Sequence, residues 1–390
     1  MRIAFTLIGG AHWSGGYNYL ANLLRILSQY QKHRLTAVLF LGAEGVSQGA
    51  EELAAIHGIE VVRTPLLNGS RRITSLLQAM LLGRDVAMQQ LLVRQHIDVI
   101  FENAQFFGWR LGIPAIAWIP DFQHRLLPAM FPLLSRWKRE LGFMAQVVGG
   151  RHIMLSSEDA RLACERFFPA TRGRTSTIHF AVPASDAEAD FLRARMVADQ
   201  YGLPERFFFM PNQFWKHKNH ALVVDALAIL KQRGVSIVVA ASGVQSDPRD
   251  SGHFSRLRAR IELLGVEQNM RLLGVIPYAD LGSLMRACVA LLNPSLFEGW
   301  STTVEEARAM GTPMLLSDLD VHREQMGAAA TYFNRCSAED LADALQNFPV
   351  LDMPQRRDMA DLARIDSVQR VKRFGDEFAD LVDTLGRGVG

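Results

Sequence analysis

The chain has 390 residues, of which 49% are hydrophobic and 21% charged, and its formal net charge is +2. This length predicts two domains, and the small net charge argues against a nucleic-acid-binding protein. The three widely spaced cysteines, Cys164, Cys288 and Cys336, predict reduced core thiols of a cytoplasmic protein, and no apolar run approaches the roughly 18 residues that span a bilayer.

Short apolar segments alternate with amphipathic ones through the first half of the chain. We predict strands at residues 2–8, 35–41, 59–62, 97–101, 114–119 and 152–155, the first of them a strand and not a signal peptide. Helical periodicity covers residues 17–31 and 73–95. This alternation is typical of a parallel sheet with helices on both faces.

The pattern restarts after residue 205. Here we predict strands at residues 207–211, 236–241, 270–273, 287–292 and 313–317, and helices at residues 219–232, 254–264, 279–286, 302–310 and 338–347. The predicted organisation is α/β, with a Rossmann-like domain at 1–183, a proline-bounded linker at 184–204, a second such domain at 205–352, and a helix at 353–390 that packs back toward the first. Two facing sheets would place their functional residues on strand-end loops around a shared cleft.

A candidate anion site follows the first strand of the second half, in the sequence NQFWKHKNH at residues 212–220. Lys216 and Lys218 precede a helix that we expect to begin near Asn219, a favourable N-cap residue. Anions bind at helix N-termini, where they would offset these positive charges. The alternative is that both lysines lie in a solvated turn.

A second candidate is FEGWSTTVEEARAMG at residues 297–311, between a predicted strand and a helix. Glu298 stands at the strand end, and Gly299 permits close approach of the backbone to a ligand. Thr302 with Glu305 fits a capping box. The alternative for Glu298 is a surface carboxylate.

Together with WIPDFQH at residues 118–124 and VHREQ at residues 321–325, these stretches resemble the group 1, or family 4, retaining glycosyltransferases of the GT-B fold. The similarity is strongest to their bacterial polysaccharide type. The resemblance implies a nucleotide-diphosphate-sugar donor held mostly by the second domain. It assigns Lys218 to the diphosphate, Glu298 to the donor sugar, Glu306 to the ribose hydroxyls and the backbone of Gly299, Trp300, Ser301 and Thr302 to phosphate.

One departure from that family pattern concerns the phosphate site. Asn212 and Gln213 stand where most of the wider family has Gly-Arg, so the expected arginine is missing. A glutamine donates hydrogen bonds but carries no charge. We therefore hypothesise that Lys216 compensates for it.

In the first half, Gly15 and Gly16 lie between the first strand and a helix, where the resemblance implies a loop near the donor phosphates and the acceptor. A plain strand-to-helix turn would use glycine as well. Asp121 and His124 follow the strand at 114–119 and are candidates for catalysis in the cleft. Pro120 occupies the position where the family often has histidine, so His124 is either its replacement or a structural hydrogen-bonding residue.

Residues 125–144 mix large apolar side chains with Arg136, Lys138 and Arg139. Such a basic amphipathic helix either lies on an anionic bilayer or covers a sheet. A lipid-linked acceptor would make peripheral membrane contact useful.

We expect no metal and no cofactor. Asp318 and Asp320 form an Asp-x-Asp that stands too late in the chain for the metal motif of the other large glycosyltransferase fold, and His217 and His220 have no third ligand nearby. The resemblance predicts transfer of a sugar, mannose from GDP-mannose by analogy, to a saccharide or lipid-linked saccharide with retention of configuration. A non-catalytic sugar-nucleotide-binding partner and a nucleotide-sugar epimerase are the alternatives.

Overall fold

The computed structural model describes residues 1–7, 14–44, 47–103, 106–184 and 190–387. The chain divides into two units. The first comprises residues 1–122, 133–180 and the chain from residue 370 onwards, and the second comprises residues 123–132 and 181–369. The first unit is therefore built from three separate pieces of the sequence, unlike the continuous domain predicted at 1–183.

The described part of the first unit contains a seven-stranded parallel sheet in the order β3-β2-β1-β4-β5-β6-β7. Its strands are β1 (Arg2–Thr6), β2 (Thr36–Gly42), β3 (Glu60–Thr64), β4 (Val99–Glu102), β5 (Ala115–Trp118), β6 (His152–Leu155) and β7 (Thr175–Thr177). The central strands are buried on both faces, as their continuous apolar sequences predict. Strand β7 was not predicted because its sequence, TST, is polar.

The helices in the first half of the sequence are α1 (Ser14–Ile26), α2 (Gln48–Ala54), α3 (Gly69–Leu81), α4 (Val86–Arg94), α5 (Gln123–Leu126), α6 (Leu133–Val148) and α7 (Glu158–Phe167). All of them belong to the first unit except α5, which belongs to the second. The single helix predicted at 73–95 is two helices, because Gly83 adopts φ +78° and Asp85 caps α4 by accepting a hydrogen bond from Met88 N. The segment predicted as one helix at 125–144 is likewise interrupted, at Pro128 and Pro132.

The second unit contains a six-stranded parallel sheet in the order β10-β9-β8-β11-β12-β13. Its strands are β8 (Phe208–Met210), β9 (Val239–Ser242), β10 (Met270–Gly274), β11 (Ala290–Asn293), β12 (Met314–Ser317) and β13 (Thr331–Phe333). The helices are α8 (Phe191–Gln200), α9 (His220–Gln232), α10 (His253–Leu264), α11 (Tyr278–Ala287), α12 (Thr302–Met310), α13 (Asp320–Met326), α14 (Ala338–Gln346) and α15 (Met353–Arg387). Two apolar clusters form its core.

Two helices modify the predicted domain boundaries. α8 lies within the predicted linker at 184–204, but Val197 and Ala198 are buried in the core of the second unit with Leu284 of α11. α15 is continuous over 35 residues, and its last part belongs to the first unit. There Phe378 packs against Phe5 and Phe101.

The order of the strands identifies where a ligand would bind in each unit. In the second sheet the chain winds outward from β8 through β9 to β10, and then from β11 through β12 to β13. The direction therefore reverses between β8 and β11, and in the first sheet it reverses between β1 and β4. In open α/β sheets, ligands bind beyond the carboxyl ends of the strands at such switch points.

Candidate functional site

The loops that follow β8 and β11 meet at the switch point of the second unit. Lys218 Nζ lies 2.6 Å from Glu298 Oε1, and both side chains are largely buried. The backbone joins the same loops, because Leu296 N donates a hydrogen bond of 2.8 Å to the carbonyl oxygen of His217. The structure thus brings into contact the two residues that the resemblance assigns to the diphosphate and to the sugar of one donor.

Glu298 is held as a carboxylate. Ser295 Oγ lies 2.7 Å from Glu298 Oε1. Burial by itself would raise the pKa of Glu298, but the positive charge of Lys218 lowers this pKa to about 2. The carboxylate is therefore ionised throughout the physiological pH range and is suited to accept hydrogen bonds from hydroxyl groups.

The loop after β8 carries a buried polar group beside the lysines. Asn212 is 3% exposed, and within the described residues its Nδ2 has no hydrogen-bond partner. Gln213 is half-buried and Lys216 is exposed. Gly243, which follows β9, has φ +146°, and a Cβ there would lie 2.5 Å from the carbonyl oxygen of Asn212. Glycine at 243 therefore allows the loops after β8 and β9 to pack closely.

The N-terminus of α12 is organised by a residue from α13. Gln325 Oε1 accepts a hydrogen bond from Ser301 N at 3.2 Å, and Gln325 Nε2 donates to the carbonyl oxygen of Ser301 at 3.1 Å. The same Nε2 donates to Glu305 Oε1 at 3.3 Å. The predicted capping box is wrong, because the N-cap is Ser301 and not Thr302, and the side chain of Ser301 makes no cap hydrogen bond.

The N-cap prediction at Asn219 is correct in position but not in mechanism. Asn219 precedes α9 with φ +58°, a left-handed conformation that asparagine tolerates. Its side chain makes no cap hydrogen bond, and Asn219 Nδ2 instead donates to the carbonyl oxygen of Arg335 at 3.0 Å. Ser157, by contrast, caps α7 with its side chain, because its hydroxyl accepts a hydrogen bond from Ala160 N.

The remaining predicted donor residues follow Glu298 directly. Gly299, Trp300, Thr302 and Glu306 are half-buried, and Ser301 is buried. Thr302 and Glu306 are four residues apart on α12 and therefore lie on the same side of the helix. Glu306 Oε1 accepts a hydrogen bond of 3.3 Å from Tyr278 Oη.

A charged cluster on the β9 side of the site was not anticipated from sequence. Arg249 binds the buried Asp247 through Nε at 3.0 Å, and its Nη2 lies 3.1 Å from His217 Nδ1. Its guanidinium lies 5.1 Å from the ring centroid of Phe131 and 5.3 Å from that of Trp215. Arg249 thereby links the loop after β8, which carries Lys216 and Lys218, to the segment at 123–132. The only sequence signal was its position, after the strand next to β8.

Two of the residues set aside as metal ligands, Asp318 and His217, contact arginine side chains. Asp318 Oδ1 accepts from Arg335 Nη1 at 2.9 Å, and burial lowers the pKa of His220 to about 3. His322 is fully buried, with its Nδ1 3.0 Å from the carbonyl oxygen of Ser317. Across the described ranges, no three His, Cys, Asp or Glu side chains are grouped as a metal site would need.

The candidates from the first half of the sequence are divided between the two units. Gly15 and Gly16 lie inside the first turn of α1, not in a loop before it, and the strand-to-helix connection at 8–13 is outside the described residues. Asp121 forms a 2.6 Å ion pair with Arg139 of α6. His124 is buried and belongs to the second unit. The expectation of core cysteines holds for Cys164 and Cys288, whereas Cys336 is exposed.

Comparison with known proteins agrees with this geometry. Residues 199–365 match the family described as glycosyl transferases group 1, a segment that contains Lys218, Glu298 and Glu306. The HepE protein of Anabaena in complex with UDP and glucose superposes with a TM-score of 0.66 at 17% identity, covering 99% of this chain and all of that chain. The fold is therefore that of the GT-B glycosyltransferases, and the family match supports this superfamily.

Two curated relatives have named activities. Mannosylfructose-phosphate synthase of Agrobacterium fabrum is 25% identical over 137 residues, which cover 35% of this chain and 29% of that protein. The O-antigen chain mannosyltransferase RfbU of Salmonella typhimurium is 21% identical over 231 residues, which cover 59% of this chain and 60% of that protein. The match thus spans less than two thirds of either relative.

Proposed function

We propose that the protein is a retaining glycosyltransferase of group 1, family 4. It transfers a sugar from a nucleotide-diphosphate sugar to a saccharide or lipid-linked saccharide acceptor in cell-surface polysaccharide assembly. One observation carries the proposal: Lys218 and Glu298 are in contact where the loops after β8 and β11 meet, at the switch point of the second sheet. A cation and a carboxylate there suit a ligand with a diphosphate and sugar hydroxyls.

In this proposal the donor diphosphate binds Lys218, which then exchanges part of its contact with Glu298 for phosphate oxygens. Glu298 accepts hydrogen bonds from the sugar, and Glu306 accepts them from the ribose. The unsatisfied Nδ2 of Asn212 is a buried donor that a phosphate oxygen would satisfy. Lys216 supplies the charge that Gln213 lacks, since Lys216 is exposed whereas Arg249 is already bound to Asp247.

The N-terminus of α12 completes the phosphate site. Ser301 N already donates to Gln325, so in this chain the positive end of the helix and the neighbouring backbone at Gly299 and Thr302 face the phosphate. These charges and donors stabilise the departing diphosphate without a metal. The acceptor attacks on the face from which the diphosphate leaves, and the donor phosphate takes up its proton. Asp121 and His124 act near the transferred sugar.

The donor is assigned to GDP-mannose. Its support is the name of one relative, an O-antigen chain mannosyltransferase, and the resemblance to polysaccharide-type enzymes. The test is a thermal-shift screen of GDP-mannose, UDP-glucose and other nucleotide sugars, followed by a transfer assay with the best ligand. GDP-mannose should give the largest shift, and the product should retain the anomeric configuration. A larger shift with UDP-glucose would overturn this donor, and no shift with any nucleotide sugar would overturn the proposed function.

The missing arginine at Gln213 favours one second candidate, a non-catalytic sugar-nucleotide-binding partner. Release of free nucleotide from the donor distinguishes the two functions. A transferase releases free nucleotide from the donor, at least slowly by hydrolysis, whereas a pure binding protein shows the same thermal shift and releases none. An epimerase would instead alter the donor sugar with no acceptor present.

We place the protein in the cytoplasm, with peripheral contact at the inner face of the membrane through α6. Leu133, Trp137 and Leu141 lie at helical spacing on α6 and are exposed. None of the helices in the described ranges combines the length and apolar character needed to cross a bilayer.

A further inference from the structure

Helix α3 in the first unit is amphipathic, but its large apolar side chains face outward. Ile73, Leu76, Leu77, Met80 and Leu81 repeat at the i, i+3, i+4, i+7, i+8 spacing of a buried helix face, yet all five are exposed, Leu81 by 77%. The described side chains that α3 buries are Ser75 and Ala79. We name the five exposed residues the α3 face.

The α3 face does not result from a loosely attached helix. Ser75 Oγ hydrogen-bonds the buried Asp85 carboxylate, which also caps α4, and Ala79 is fully buried. The orientation of α3 is therefore fixed by the hydrogen bond between Ser75 and Asp85 and by the burial of Ala79. A contiguous exposed apolar face on an ordered helix indicates a contact surface for another protein or for a membrane.

The surface continues from α3 to the end of α6. A Cβ at Gly83 would meet the indole of Trp109 at 2.6 Å, and the Trp109 ring lies 6.4 Å from that of Phe106. Phe106 in turn contacts Gly149, directly after α6. Leu82, Trp109 and Val148 beside these contacts are all exposed, Val148 by 70%. The two helix ends thus share one apolar region around Trp109.

The charge of this region indicates which kind of partner binds to it. Residues 69–84 contain three arginines, Arg71, Arg72 and Arg84, and no acidic residue. A second copy of the chain that packed symmetrically on the α3 face would bring the exposed Arg71 and Arg84 near their own counterparts, which is unfavourable. An anionic bilayer instead attracts the arginines, accepts the apolar side chains and suits tryptophan at its interface.

We propose that the α3 face, with Leu82, Trp109 and Val148, is a membrane-docking surface for an anionic lipid bilayer. This surface is separate from the donor site and extends beyond the α6 segment considered above. Its test requires no sugar donor, so its failure would leave the proposed transferase activity unaffected.

The experiment is flotation of the purified full-length protein with vesicles. One set contains equal parts of phosphatidylglycerol and phosphatidylcholine, and the other contains phosphatidylcholine alone. We expect flotation with the anionic vesicles that declines as salt is raised. Leu77→Asp/Leu81→Asp should reduce the bound fraction by about tenfold or more. Arg71→Ser/Arg84→Ser should weaken binding by roughly fivefold per arginine.

Matched controls separate this surface from exposed leucines in general. Leu263→Asp changes a residue of α10 that is 84% exposed in the second unit, and Val93→Asp changes an exposed apolar residue of α4. Both should float like the wild type, and thermal unfolding of each variant verifies its fold. If Leu77→Asp/Leu81→Asp is unfolded, Leu77→Ser/Leu81→Ser replaces it.

Three results would overturn the proposal. The first is a wild-type protein that does not float with the anionic vesicles, and the second is an α3 variant that floats as well as the wild type. The third is a wild-type dimer in light scattering that the α3 variant converts to a monomer while flotation is unchanged. That last result would assign the α3 face to a second copy of the chain.

Discussion

Lys218 Nζ and Glu298 Oε1 lie 2.6 Å apart although the two residues are separated by 80 positions in the chain. The contact follows from the topology, because β8 and β11 are neighbours in the sheet despite the two strands that separate them in sequence. A substitution at either residue therefore removes the ion-pair partner of the other.

The first prediction concerns activity. Lys218→Ala and Glu298→Gln should each lower kcat by roughly 10²–10³, because each removes a preorganised charge from the site of the departing diphosphate or the sugar. The measurement is nucleotide release under saturating donor. Circular dichroism must show that the variants are folded. Wild-type turnover in either variant would refute the role assigned to that residue.

The second prediction concerns pH and stability. In the wild type the pKa of Glu298 is lowered from 4.5 to about 2, so the stabilisation is present above pH 4.5 and is lost between pH 4.5 and 2. In Lys218→Ala the carboxylate stays buried without its main cation, so its pKa should rise above 4.5. The variant should therefore be destabilised by about 2–4 kcal/mol at pH 7 and approach the wild type as the pH falls toward 4.5.

Urea unfolding of both proteins at several pH values measures this effect. Glu298→Gln is the control, because it removes the ionisable group and its stability difference from the wild type should stay constant between pH 7 and pH 4.5. A constant difference between Lys218→Ala and the wild type from pH 7 to pH 4.5 would contradict the prediction.

The third prediction tests the hypothesis for Lys216. If this exposed lysine supplies the charge missing at Gln213, Lys216→Ala should weaken donor binding about 5- to 13-fold, which corresponds to one contact of about 1–1.5 kcal/mol. Isothermal titration with the nucleotide sugar measures it. Lys32→Ala, also an exposed lysine, serves as the matched control. Equal donor affinity in Lys216→Ala and the wild type would count against compensation.

The fourth prediction concerns Gln325. Its side chain makes three hydrogen bonds to Ser301 and Glu305, so Gln325→Leu should leave buried polar groups unsatisfied and loosen the start of α12. We expect a lower melting temperature and a KM for the donor raised by about tenfold. Glu324→Gln, the preceding residue of α13, is the control. An unchanged KM would show that the α12 terminus does not contact the donor.

The fifth prediction compares two glycines with positive φ. Gly243→Ala brings a Cβ to 2.5 Å from the carbonyl oxygen of Asn212, whereas Gly234→Ala meets no atom within 4 Å. Both should cost about 1 kcal/mol through the strained backbone. Only Gly243→Ala should also displace the loop after β8 and weaken donor binding, as titration of the folded variants would reveal. Equal donor affinity in the two variants would contradict this.

Much of the fold was accessible from the sequence because buried parallel strands are continuous apolar runs. The strands at 152–155 and 270–274, for example, lie where they were predicted. β7 and β13 were missed because they are three-residue edge strands, which carry too little pattern. The break between α3 and α4 was missed because the apolar periodicity continues across Gly83.

For the site, the sequence indicated Lys218 and Glu298 through strand ends and resemblance. It did not indicate Arg249, since an arginine in a loop has no periodic signal, and the contact with Asp247 depends on the folded turn. Nor did the sequence reveal that the apolar face of α3 is exposed and not buried. A helical period shows that one face is apolar, but which face is buried is decided by the tertiary contacts of Ser75 and Ala79.

The contact of Phe378 with Phe5 and Phe101 bears on how the protein is made. Because the ribosome synthesises the chain from its N-terminus, β1 and β4 emerge long before the helix turn that covers them. All residues of the second unit lie before residue 370, so they are synthesised before the last segment of the first unit. The N-terminal sheet therefore stays incompletely covered until the segment from residue 370 onwards has been synthesised, which happens only after all residues of the second unit.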